Sequence, residues 1–107
     1  MISEKVNRYL RMLGDGDHRL RAIQRLEVLG EEALEALPEL WNIVKDQSGE
    51  PQVRAAALKA IVTICPTDPQ TIEGLLERLA QDPAPEVVLQ TAQFLGSFAT
   101  RVNRELP

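Results

Sequence analysis

The amino-acid sequence predicts an all-α fold, an α-α superhelix of about six antiparallel helices, and three observations carry that prediction. The first is self-similarity. Setting His18 on Val53 pairs Arg19 with Arg54, Ala22 with Ala57, Ile23 with Leu58, Leu26 with Ile61 and Leu29 with Ile64, an offset of 35 residues. A further offset of 34 carries the pattern to Val87, Leu89, Thr91, Ala92, Leu95 and Phe98. Repetition at this period signals stacked helical units, none of which buries its apolar face alone. The second observation is that apolar or small residues recur at i, i+4, i+8 and i+11, a helical period. The third is that glycine and proline punctuate the chain between the stripes.

The elements follow in order. Helix one spans 3–13, with Ser3 as N-cap and Val6, Tyr9, Leu10 and Leu13 as its stripe; Gly14 and Gly16 end it. Helix two, 18–29, is expected to take Asp17 as its cap and to stop at Gly30. Helix three, 33–45, carries Leu34, Leu37, Trp41 and Val44. Pro38 lies beyond its first turn and should bend it or delay its regular hydrogen bonding. In helix four, 51–64, Ala55, Ala56, Ala57 and Ala60 keep the rod thin for close approach while Leu58, Ile61 and Ile64 supply apolar area. Helix five, 69–81, starts from Asp68 and Pro69 and carries Ile72, Leu75, Leu76 and Leu79. Helix six, 85–103, shows a stripe of Val87, Val88, Thr91, Phe94, Leu95, Phe98 and Val102, wider than one helical neighbour needs.

Composition bounds the function classes. A chain of 107 residues is one domain with a real core, and 44% hydrophobic against 26% charged residues is too apolar for disorder. The net charge of -4 is uneven: residues 31–50 hold one Lys/Arg against six Asp/Glu, while residues 1–30 hold six against four. Phosphate neutralisation needs clustered basic residues, so the acidic middle disfavours a nucleic-acid partner. The single Cys65 forms no intramolecular disulfide, and no leader or 18-residue apolar span is read; a reducing, cytoplasmic setting without a membrane partner is expected.

No catalytic chemistry is suggested. His18 and Cys65 are each the sole residue of their type, which leaves neither a metal cluster nor an oriented nucleophile. His18 reads as a helix-start residue and Cys65 as a small hydrophobe at a helix end. Gly14-Asp15-Gly16-Asp17 lacks the later glutamate of a calcium loop and reads as a turn. Glu31, Glu32, Glu35 and Glu39 form either a solvated face or part of a binding surface, and Trp41 reads as core. No catalytic residue, metal or cofactor is expected.

Arg19, Ala22, Leu26, Leu29 and Gly30 followed by Leu37, Pro38, Leu40 and Asp46, then Val53, Arg54, Ala57, Ile61 and Ile64 followed by Leu76, Leu79 and Asp82, form a pattern that resembles the HEAT repeat. More narrowly, it looks like the short HEAT-like units of bacterial and cyanobacterial proteins, including those related to phycobilisome lyases. His18, Cys65 and Val88 depart from it, Val88 standing where a third arginine is expected. On this resemblance residues 1–107 are a single HEAT-like solenoid: a half repeat 1–16, repeats 17–46 and 50–82, and an incomplete repeat 84–107. Arg19, Asp46, Arg54 and Asp82 become inter-repeat residues. Asp46 with Arg54, and Asp15 with Arg19, are expected to pair across the loops and to hydrogen-bond the helix-end carbonyls there, an exposed pair being worth only ~0–1 kcal/mol.

The resemblance also implies that the second helix of each pair lines a concave face. Arg8, Arg11, Glu35, Glu39, Asn42, Glu77 and Gln81 would then form a strip running from basic to acidic. The expected function is a non-catalytic protein-interaction scaffold gripping a partner protein there. The alternative implied by the narrower resemblance is an accessory piece of a bilin lyase or another cofactor-handling enzyme. Finally, an offset of 69 sets Leu106 on Leu37 and Pro107 on Pro38, so the stack reads as open-ended. Three readings stand: a fragment of a longer array, a homodimer through Val88, Phe94 and Phe98 of the C-terminal helix, or a simple terminus.

Overall fold

The computed structural model describes residues 3–66 and 68–105. Phe98, Val102, Leu106 and Pro107, all placed by expectation at the open end, lie outside the described side chains. The elements are α1 (Glu4–Met12), α2 (Arg19–Leu29), a 3-10 helix over Gly30–Ala36, α3 (Leu37–Lys45), α4 (Pro51–Ile64), α5 (Pro69–Gln81) and α6 (Pro85–Glu105). They lie in two layers. α2, α4 and α6 pack side by side, and α1, α3 and α5 cover them through the α1–α2, α3–α4 and α5–α6 contacts. The molecule is only 17 Å deep in its thinnest direction, which fits two helices with axes 8–10 Å apart.

The helix ends follow local chemistry. Ser3 Oγ accepts the Val6 N–H at 3.2 Å and Asp68 Oδ1 accepts the Gln70 N–H at 2.9 Å, as expected of both caps. Asp17 does not cap α2: its own N–H donates to Asp15 Oδ1 at 3.1 Å, and His18 is the N-cap without a side-chain bond. Gly30 ends α2 at φ 60°, a backbone conformation open to glycine because it has no Cβ. The expected single third helix is split. Residues 30–36 wind as a 3-10 helix with a kink at Ala33, and regular α-helix starts only at Leu37, which brings Pro38 into the first turn where its missing N–H costs nothing.

α4 is the axle of the stack. Ala57, Leu58, Ala60, Ile61 and Ile64 are all buried, and α2, α3, α6 and the 3-10 helix lie against it. With four neighbours, a rod of alanines lets the backbones close in while three large aliphatics fill the gaps. Elsewhere the buried face is rotated from the expected stripe. In α5 it runs Thr71, Leu75 and Arg78, leaving Leu76 and Leu79 largely exposed. In α3 it runs through Leu40 and Val44, while Leu34 lies on the 3-10 helix and is exposed. Leu89, the counterpart of Ala55, is 62% exposed, because α6 is flanked only by α4 and α5 among the described residues.

Trp41 is half-buried rather than a full core residue, and its ring joins α3 to α5. A Cβ at Gly74 would lie 2.8 Å from Trp41 Cζ2 and 2.9 Å from Cζ3, so the glycine in the middle of α5 is the seat of the indole. Gly74→Ala gains about 1 kcal/mol of helix propensity. Overpacking against the ring should cost about 1–3 kcal/mol, so the variant should unfold at lower urea. Fluorescence of the sole tryptophan reads this directly, and a smaller ring, Trp41→Phe, should relieve the Gly74→Ala penalty when unfolding is followed by circular dichroism. A raised midpoint for Gly74→Ala alone would show that the ring yields freely.

Candidate functional site

Two joints between units of the stack can be compared atom by atom. At the second, Arg54 points inward from the first turn of α4 and is only 1% exposed. Its Nε and Nη2 donate to the Val44 carbonyl at 3.0 and 2.8 Å, satisfying the end of α3, and Nη2 also pairs with Asp82. Asp82 is the C-cap of α5; its Oδ1 accepts the Ala84 N–H at 3.0 Å and so shapes the entry to α6. Arg78, itself 4% exposed, brings Nη1 to 3.4 Å from Asp82 Oδ2 and donates from Nη2 to Glu77 Oε1 at 2.8 Å.

This corrects the expected exposed pair of Asp46 with Arg54. The carboxylate that meets Arg54 stands at the far end of the same unit, and the pair is buried. Burial by itself pushes the Asp82 carboxyl up, but the Arg54 hydrogen bond, the Ala84 N–H and the charges of Arg54 and Arg78 together hold it below the usual carboxylate range.

The first joint repeats half of this plan. Arg19 Nε donates to the Leu13 carbonyl at 2.8 Å, as Arg54 does to Val44. Asp46 caps α3 as Asp82 caps α5, and its Oδ1 accepts from Ser48 N at 3.1 Å and Ser48 Oγ at 2.6 Å. Those two bonds, side chain first, followed by the nearby charges of Arg19 and Arg54, draw the Asp46 carboxyl below its ordinary value. No ion pair closes between Arg19 and Asp46. Nor does Asp15 take Arg19: its Oδ2 meets His18 Nδ1 at 2.7 Å, and with the Asp17 N–H this lowers the Asp15 carboxyl.

Between the ends of α1, α3 and α4 lies a groove of about 500 Å³, and Arg11, Arg19, Glu39, Asn42, Asp46 and Arg54 are in its lining. Of the expected strip, it brings together Arg11, Glu39 and Asn42. Arg8 lies in a neighbouring hollow with Glu4, Lys5, Asn7 and Arg11, the last of which lines both, Glu35 is on the 3-10 helix, Glu77 is drawn to Arg78, and Gln81 is exposed at the end of α5. Val88 and Phe94 are half-buried on α6. Burial pushes the Cys65 thiol up, and Asp68 Oδ2, 3.6 Å from its sulfur, adds to the effect, so the group stays a thiol at neutral pH. Among the described residues no group of three His, Cys, Asp or Glu is placed to hold a metal ion.

Arg78 and Gly74 were not singled out by sequence reasoning. The spacing of Arg78 four residues ahead of Asp82 was the available signal. The two joints should separate experimentally. Arg54→Ala takes from the buried Asp82 carboxylate one of its two arginines, leaving Arg78 at 3.4 Å, and removes both bonds to the Val44 carbonyl; it should cost about 3–5 kcal/mol, whereas Arg19→Ala loses one half-exposed hydrogen bond and should cost about 1 kcal/mol. Urea unfolding of the two variants is the measurement, and equal losses would refute the asymmetry.

Acid titration tests the same pair. A carboxyl whose native value lies below its unfolded value near 4 contributes stability that is complete above about pH 4 and is lost as pH falls through the native value. Stability should therefore drop more steeply below pH 4 in the native sequence than in Asp82→Asn, which starts lower at neutral pH. Parallel acid-unfolding curves would show that Asp82 is not the titrating group.

In comparison with known proteins, residues 8–100 match the family described as HEAT repeats. No curated protein and no solved structure matches the chain significantly. No helix among the described residues is long and apolar enough to cross a membrane. With the family match spanning most of the chain and every described element helical, the chain belongs to the HEAT-repeat family and has its all-α repeat fold.

Proposed function

We propose that the chain is a non-catalytic interaction module that holds a partner protein along the charged side of α1, the 3-10 helix, α3 and α5, within a stack divided as 1–16, 17–46, 50–82 and 84–107. The observation that carries this reading is the convergence of Arg11, Glu39 and Asn42 on one groove at the joint where Arg19 and Asp46 stay apart. A surface with both signs of charge selects a partner by complementary potential and speeds encounter. HEAT repeats commonly act as scaffolds, and a free Cys65 suits a reducing, cytoplasmic setting. The acidic 31–50 segment continues to disfavour nucleic acid.

A second copy of the chain is the alternative partner favoured by exposed Leu76, Leu79 and Leu89 on α5 and α6. An accessory role in a bilin-lyase-like enzyme draws on the narrower resemblance, and the groove volume, within the usual range of small-molecule sites, is what supports it. Pigment bound by the purified chain would favour that reading.

Affinity capture from the source cells, with the native chain beside Glu35→Lys and Glu39→Lys, tests the leading reading. Recovery of the captured protein should fall by about 10-fold, mainly through slower association. Undiminished capture by the charge-reversed double variant would count decisively against the strip.

A further inference from the structure

The two joints share part of their frame and differ in how cations meet the capping aspartate: Arg54 closes on Asp82 while no ion pair joins Arg19 to Asp46, and a further arginine stands beside the cap only at the second joint. In each, an aspartate caps the outgoing helix, and its N–H returns to the residue four earlier: Asp46 to the Asn42 carbonyl at 3.2 Å, Asp82 to the Arg78 carbonyl at 3.0 Å. In each, Oδ1 accepts the N–H two residues on, and an upstream arginine donates Nε to the end of the preceding helix. At the second joint Arg78, four residues ahead of the cap, brings a second guanidinium to Asp82 Oδ2. At the first joint the same helical position is Asn42, shorter and uncharged, and among the described residues no ion pair or hydrogen bond reaches Asp46 Oδ2.

The volume beside Asn42 is open, because Asn42 and Asp46 both line the 500 Å³ groove. Its charged lining is Arg11, Arg19 and Arg54 against Glu39, Asp46 and Glu50. Arg54 is already matched by Asp82, which leaves three carboxylates facing two arginines. Outside the lining, the rest of segment 31–50 adds to the negative potential with Glu31, Glu32 and Glu35 against Lys45. An incoming anion would meet this field unfavourably. A cation would find it attractive, and Leu10, Ile43 and Val53 offer apolar wall for a side-chain stem.

From this we propose that the groove receives an arginine side chain from a segment of the partner protein, its guanidinium taking beside Asp46 the place that Arg78 takes beside Asp82. Arginine suits the site better than lysine because its planar fork can donate to Asp46 and to Glu39 or Glu50 at once, while its methylenes lie on the apolar wall. The assignment rests on the partner-binding reading above and names the chemistry the partner must present.

The test uses the full chain and a capped pentapeptide, Gly-Leu-Arg-Leu-Gly, titrated by amide NMR, beside the same peptide with citrulline, the uncharged isostere, or glutamate in place of arginine. Saturable shifts are expected at Gly14, Gly16, Gly49 and Val53, with citrulline and glutamate peptides binding at least about 10-fold more weakly. Asn42→Arg, which supplies the missing cation within the chain, and Asp46→Asn should each weaken the arginine peptide by about 10-fold or more. Equal binding of the citrulline peptide, native-like binding by Asn42→Arg, or shifts that do not saturate would overturn the assignment. Glu35→Lys lies outside the groove lining and keeps the two proposals separable. If that variant loses the captured partner while the peptide fails to bind, the strip stands and the arginine site falls; peptide binding with unaffected capture means the reverse.

Discussion

Arg54 is the constraint on which the stacking depends. A guanidinium only 1% exposed must have its donors matched, and here the match comes from two directions, the Val44 carbonyl and the Asp82 carboxylate. The end of α3, the start of α4 and the α5–α6 turn are therefore set by one side chain. A buried ion pair is weak evidence of net stability, since well-packed apolar residues of similar volume often do as well. Its contribution is geometric: a slip of one unit against the next would leave a charge buried without a partner. Aliphatic contacts around Leu58 and Ile61 are non-directional and could not exclude such a slip alone.

The second constraint is thickness. α4 has neighbours on several sides, which is why its buried set, from Arg54 to Ile64, covers more than one face and why so much of it is alanine. On the covering layer the same problem is solved differently, by one large ring and one absent Cβ, Trp41 on Gly74. The two devices hold the layers at different places. The alanine seam sets how closely α2, α4 and α6 approach, and the indole fixes how far α3 lies from α5.

Helix number and most helix ends were legible because proline, glycine and apolar period all point the same way at those positions. What was not legible is what depends on three-dimensional return. Eight residues separate Asp46 from Arg54 and twenty-eight separate Arg54 from Asp82, yet the distant aspartate makes the pair, because the unit folds back on itself. The same return drew Arg78 inward and turned Leu76 and Leu79 out, so the buried face of α5 contradicts its apolar period. The candidate site was readable as a set of polar positions on outward faces. That Glu35 does not join Arg11, Glu39 and Asn42 in the groove goes with its place on the 3-10 helix and the delay of α3 to Leu37, neither of which the period encodes.

The difference between the joints also says where recognition can reside in so small a stack. At the second joint Arg54, Arg78 and Asp82 close on one another, so an approaching group would have to break bonds already made at low exposure, a costly exchange. At the first joint Asp46 keeps an oxygen and Arg19 its terminal nitrogens beside open volume, and their bonds at present are to Ser48 and to a helix-end carbonyl. A ligand there displaces water rather than bonds within the protein. Repetition supplies the frame at both joints; at the second, Arg54 and Arg78 both close on Asp82, while at the first Asn42 stands in the place of Arg78 and Arg19 does not close on Asp46, which leaves that joint accessible. In a repeat protein this is how a binding site can arise without a new fold, by leaving one copy of a structural interaction incomplete.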